Sequence, residues 1–122
     1  MPIYGTASTP PTLTRGALIA LFAAEAATAT KKSQQFGMRR NDAPVPLSVE
    51  IKFSADPGNF SISLQTADTD ADAYYVNSLT VTQTGMNSTF VCRIESLGVV
   101  ARFARLSITS ITNAVNVTAT VC

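Results

Sequence analysis

From residue 45 onward the chain keeps a two-residue rhythm. Leu47, Val49, Ile51 and Phe53 alternate with Ser48, Glu50 and Lys52. Phe60, Ile62 and Leu64 alternate with Ser61, Ser63 and Gln65, and Phe90, Cys92 and Ile94 alternate with Val91, Arg93 and Glu95. Successive side chains of a strand point to opposite faces, so each run places its apolar set on one side. Tyr74 to Thr82 has strand composition, and Val99 to Thr109 is a long β-rich run with Ala104, Leu106 and Ile108 in phase. Val115, Val117, Ala119 and Val121 close the series. Turn chemistry separates these runs at Asp56-Pro57-Gly58-Asn59, at Asp68 to Asp72, at Gly85 to Ser88, at Gly98 and at Asn113-Ala114. About six strands with turns every 8–12 residues predict an all-β antiparallel β-sandwich, jelly-roll-like, over residues 43–122.

The first 42 residues follow a different pattern. Met1 to Thr14 is rich in Pro, Thr and Ser, and Pro10-Pro11 favours extended backbone. Ala17 to Ala27 is almost entirely apolar and built from strong helix formers, with Thr12 or Thr14 available as a cap. We therefore read residues 1–42 as an N-terminal arm, with 15–28 either a short helix or extended chain. A helix apolar on all sides needs burial all round, which a partner subunit supplies. Leu18, Ile19, Leu21 and Phe22 are accordingly expected at an interface. The run is too short to cross a bilayer, which takes about 20 residues, so no membrane role is expected. It is preceded by only one basic residue, Arg15, unlike the leader of a secreted protein.

Composition narrows the chemistry. There is no histidine, which removes Ser-His-Asp and Cys-His nucleophile activation and His-ligated metals. The two cysteines, Cys92 and Cys122, lack the spacing of a redox pair; they are either free thiols or one disulfide. Charged residues make up 14% of the 122 residues, against about 25% in ordinary domains. The net charge of +1 argues against specific nucleic-acid binding. The first 42 residues nevertheless carry five Lys and Arg against two acids, with Arg39 and Arg40 adjacent. A basic arm on a mildly acidic body suits head-to-tail contact between copies, and Arg39 and Arg40 join the expected interface.

Three patterns resemble ligand or catalytic sites. Asp68-x-Asp70-x-Asp72 begins like a calcium loop, but Ala73 and Leu79 stand where an EF-hand needs Gly and Glu, so no metal site is expected. Tyr74 and Tyr75 with Arg102 and Arg105 offer the aromatic faces and planar guanidinium groups of a sugar site, but arginines three apart fall on opposite faces of a regular strand, so Tyr74, Tyr75 and Arg102 are the expected contacts and one arginine is expected at a subunit contact. Glu50 and Glu95 lie on the polar phase of their strands and read as exposed charges rather than a catalytic pair. With no phosphate-binding loop and no nucleophile–base set, the chain is expected to have no catalytic residues and no cofactor, and not to be an enzyme.

The sequence Asn59 to Gln65, the acidic turn, Tyr74-Tyr75-Val76 and Ala101 to Thr109 resemble small β-sandwich virion proteins of tailed bacteriophages. The resemblance covers residues 59–121. It implies a structural virion protein, a capsid decoration or cement protein that forms a homo-oligomer and binds the major capsid protein or other virion proteins through its arm. A tail- or connector-associated adaptor is the alternative within that class, and a carbohydrate-binding module the alternative outside it. The arginine-bearing strand is also similar to discoidin-type sugar-binding jelly rolls, although this chain lacks their tryptophan.

Overall fold

A computed structural model describes residues 11–13, 18–38, 45–84, 90–99 and 101–122. The described residues form eight strands: β1 (Ile19–Ala26), β2 (Phe36–Gly37), β3 (Val45–Phe53), β4 (Asn59–Ala67), β5 (Val76–Thr84), β6 (Val91–Val99), β7 (Phe103–Ile111) and β8 (Asn116–Val121). The only helical element among the described residues is a 3₁₀ turn at Asp72–Tyr74. The strands form two four-stranded sheets, ordered β1-β8-β3-β6 and β2-β7-β4-β5, and all strand pairs are antiparallel. Every connection crosses from one sheet to the other except the β4–β5 hairpin. This winding is the eight-stranded jelly roll, a two-sheet solution built from Greek keys.

The predicted phases hold in three dimensions. Leu47, Val49, Ile51 and Phe53 of the first sheet face Phe60, Ile62 and Leu64 of the second, with Leu106, Ile108, Val117, Ala119 and Val121 completing one continuous core. The Phe53 and Phe60 rings lie 5.0 Å apart and tilted at 57°, a favourable arrangement across the layer. Each fully buried large apolar side chain contributes about 1.5–3 kcal/mol, which is what keeps the two layers together.

One open alternative is decided and two expectations are corrected. No helix forms over the described part of 15–28: Ile19–Ala26 is strand β1, paired with β8. Local helix propensity is weak, worth tenths of a kcal/mol per residue, and the open edge of β8 overrides it. The chain also needs Leu21 and Phe22 both inside, although neighbours in a regular strand point opposite ways. Register shifts between Ala20 and Phe22 and again between Phe22 and Glu25 solve this, and Ala24 takes a left-handed φ of 53°. Second, Gly98 does not end a strand: β6 continues to Val99, which pairs with Val45, and β7 starts only at Phe103. Third, the strand expected from Tyr74 begins at Val76, because the 3₁₀ turn consumes Tyr74. The described part of the segment read as an arm thus supplies one strand to each sheet. Arg39 and Arg40 lie outside the described residues.

Candidate functional site

The β4–β5 connection is the most elaborate feature outside the core. Ala104 and Leu106 point into the core, so Arg105 between them projects from the outer face of the second sheet. It is nevertheless only 2% exposed. The loop folds back over it. Tyr75 lays its ring against the guanidinium, 4.1 Å from centroid to Cζ. Arg105 Nε donates to Gln65 Oε1 at 2.7 Å and Nη1 donates to Asp72 Oδ1 at 2.7 Å. Tyr75 is held in turn by its hydroxyl, which donates to Asp70 Oδ1 at 2.9 Å, while Gln35 Nε2 donates to Asp70 Oδ2 at 3.1 Å. Ala67, Tyr75 and Phe103 form a small apolar cluster beside these polar contacts.

This arrangement reassigns the residues singled out in the sequence. Asp72 pairs with Arg105, Asp70 anchors Tyr75 and Gln35, and Asp68 accepts the backbone N–H of Arg102 at 3.2 Å. The alternating acids therefore fix a loop, each through different donors. Among the described residues no group of three or more His, Cys, Asp or Glu is placed to hold a metal ion. Of the expected sugar contacts, Tyr74 is exposed and Tyr75 is buried beneath its loop, while Arg102 is exposed and lies near Phe103, 6.0 Å from its ring. The tyrosine stacks on Arg105, not on Arg102. Arg105, expected with Arg102 either at a sugar or at a subunit contact, is instead engaged within its own chain by Tyr75, Gln65 and Asp72. Its signal in the sequence is that it is the one charged residue of β7, in the polar phase with Ser107 and Thr109, with no charge on the neighbouring strands β2 and β4.

The expected interface residues also divide. Leu21 and Phe22 are buried in the chain's own core and Ile19 is half-buried against it, whereas Leu18 is 69% exposed. Leu18 lines a shallow groove of about 200 Å³ with Ser48, Glu50, Arg93, Thr120 and Cys122 on the outer face of the first sheet.

The two outer faces differ in charge. On the first sheet Glu50 pairs with Arg93 at 3.0 Å and with Lys52 at 3.3 Å. The hydrogen bond from Arg93, then that from Lys52, holds the Glu50 carboxyl below its ordinary value, and Glu50 raises Arg93 in return. On the second sheet, β4 and β5 contain no charged residue. Their outer positions pair sideways instead: Ser61 with Thr82 at 3.1 Å, Ser63 with Thr80 at 2.9 Å, and Gln65 Nε2 to Asn77 Oδ1 at 3.0 Å. Because these polar groups already satisfy one another, the face loses little when water leaves it. Cys92 is buried and Cys122 exposed, both as free thiols.

The strand order and this site define a jelly roll with a neutral outer sheet face. Neither a protein-family model nor a curated protein sequence matches the chain. Among solved structures it is similar to the SPBc2 prophage-derived protein YomS, with 15% identity and a TM-score of 0.50 over 89% of this chain and 96% of that one. At that identity the likeness is one of fold.

Proposed function

We propose that the protein is a structural, non-enzymatic component of a tailed bacteriophage particle, and within that class a capsid decoration protein that binds the major capsid protein as a homo-oligomer. The observation that carries the reading is the jelly roll itself, similar over nearly the full length of both chains to a prophage-derived protein. Jelly rolls recur in viral capsid and lectin domains. The site chemistry supports binding over catalysis: the buried arginine, the loop acids and the tyrosine are engaged with one another and rigidify a surface. A neutral face made of paired Ser and Thr suits packing against protein. The glycan alternative has one of its two aromatic residues, Tyr75, withdrawn beneath the loop.

The test is mass spectrometry on density-gradient-purified phage particles from cells that carry the gene. The protein is expected in the particles at a fixed ratio to the major capsid protein. Its absence from washed particles would remove the virion reading, and a fixed ratio to tail proteins alone would move it to the tail.

A further inference from the structure

Sheet edges offer unpaired backbone groups to any passing strand, and folded proteins guard them with charge, brevity, irregularity or a cover. This jelly roll has four edges, and three are guarded. β1 carries Glu25 and two register shifts. β2 is two residues long and is covered by a parallel bridge from Thr12 to Gly37, with Pro11 accepting from the Gly37 N–H. β6 carries the exposed charges Arg93 and Glu95. The fourth edge, β5, is nine residues long and has no charge and no proline. Its one irregularity, the extra residue Ser78, lies near the start and leaves Leu79–Thr84 in unbroken register with β4. Val76 is 61% and Leu79 37% exposed. Beside Leu79 the sandwich opens into a groove of about 280 Å³ between the sheets, lined also by Leu64, Val99 and Ala101.

We infer that β5 is the self-association edge of this protein, pairing antiparallel with β5 of a second copy across a two-fold axis near Val81 and joining two four-stranded sheets into one of eight. A second copy fits because the strand is compatible with itself. Antiparallel pairing about Val81 keeps Leu79 and Val81 of both copies toward the cores and Thr80 and Thr82 on the neutral outer face. No like charges meet in this register. A two-fold contact of this kind is closed and limits growth to a dimer. The inference deepens the proposed assembly role but rests on the strand edge, and its test does not involve particles.

The test is sedimentation equilibrium of the full chain at micromolar concentrations. The protein is expected to sediment at twice its 12.9 kDa chain mass. The double variant Thr80→Lys/Thr82→Lys places like charges across the seam and should weaken the dimer roughly tenfold or more. A Thr80→Glu/Thr82→Glu variant should do the same alone, and mixing the two should restore a dimer, which a merely misfolded variant cannot do. Glu25→Lys, on the β1 edge, should leave the mass unchanged. A monomeric native chain, or a dimer indifferent to both double variants, would overturn the inference. Loss of the protein from particles with the dimer intact would instead count against the proposed location alone.

Discussion

The guanidinium of Arg105 lies 4.1 Å from the centre of the Tyr75 ring and is sealed from water by the loop that carries that ring. A buried cation is tolerable only when it is well partnered, and here Gln65 and Asp72 each accept one of its hydrogen bonds while the Tyr75 ring covers its face. Replacing Arg105 by Met removes the cation and leaves Asp72 and Gln65 to water at the loop margin. We expect a loss of about 2–3 kcal/mol, less than for a fully buried pair because Asp72 is partly exposed. Arg105→Lys should recover little of it, since an ammonium cannot reproduce the forked geometry over the ring. Tyr75→Phe, which keeps the ring and drops the hydroxyl bond to Asp70, should cost about 1 kcal/mol. Urea unfolding of the three variants checks the order; equal losses would mean that the loop is held by something else.

Much of the fold was legible because half-buried strands write their geometry into alternate residues. Val49, Ile51, Ile62, Leu64, Leu106, Ile108, Val117 and Val121 were all assigned to the buried phase, and all are fully buried. Ile19–Ala26 was not legible. An edge strand bent by two register shifts has no clean period of two, and its alanines signal helix locally. β2 is too short to carry any period. The Arg105 site was only half legible, since the sequence offered tyrosines, arginines and acids but not which tyrosine would meet which arginine. That pairing depends on the β4–β5 loop folding back over the sheet, a tertiary fact with no local signature.

Phe22 belongs to the core, so the first strand cannot be trimmed without consequence. Phe22 is 1% exposed and packs within the main hydrophobic cluster. Phe22→Ala should destabilise the protein by about 3–5 kcal/mol, the cost of a large cavity in a packed interior. Leu18→Ala, at an exposed position three residues before Leu21, should lie within about 0.5 kcal/mol of the native value. Thermal unfolding of both variants separates the two positions. A near-neutral Phe22→Ala would mean that β1 is not docked on β8 in solution.

The turn joining β3 and β4 rests on one glycine. Gly58 has φ of 71°, and a Cβ there would come within 3.0 Å of Thr112 Cβ and Asn113 Nδ2. Those neighbours are themselves tied down, because Asn113 bonds the Asp56 carbonyl at 3.1 Å and Thr112 bonds the Asn59 carbonyl at 3.0 Å. Gly58→Ala therefore combines a left-handed penalty with a clash that cannot relax freely. The expected loss is about 1–3 kcal/mol, read as a lowered urea midpoint with unchanged slope. The converse holds at Ala24, where φ is 53° in an exposed bulge: Ala24→Gly should raise stability by up to about 1 kcal/mol.

The two thiols should behave as different chemical species. Cys92 faces the core, and burial pushes its pKa up from 9.0 to about 11, so at neutral pH it holds its proton and is shielded from reagents. Cys122 lies one residue beyond β8 and is exposed. An aromatic disulfide reagent at pH 8 should titrate one thiol in the native protein and two after denaturation. Cys122→Ser should abolish the native reaction and Cys92→Ala should leave it intact. The raised value also fixes a pH dependence. The folded state binds the Cys92 proton more tightly than the unfolded chain, so this contribution to stability is complete below pH 9 and is lost as the pH rises through about 11. Cys92→Ala should show a shallower fall of unfolding free energy between pH 9 and 11 than the native protein. Parallel curves for the two proteins, or rapid native labelling of both thiols, would show that β6 does not bury Cys92 against the core.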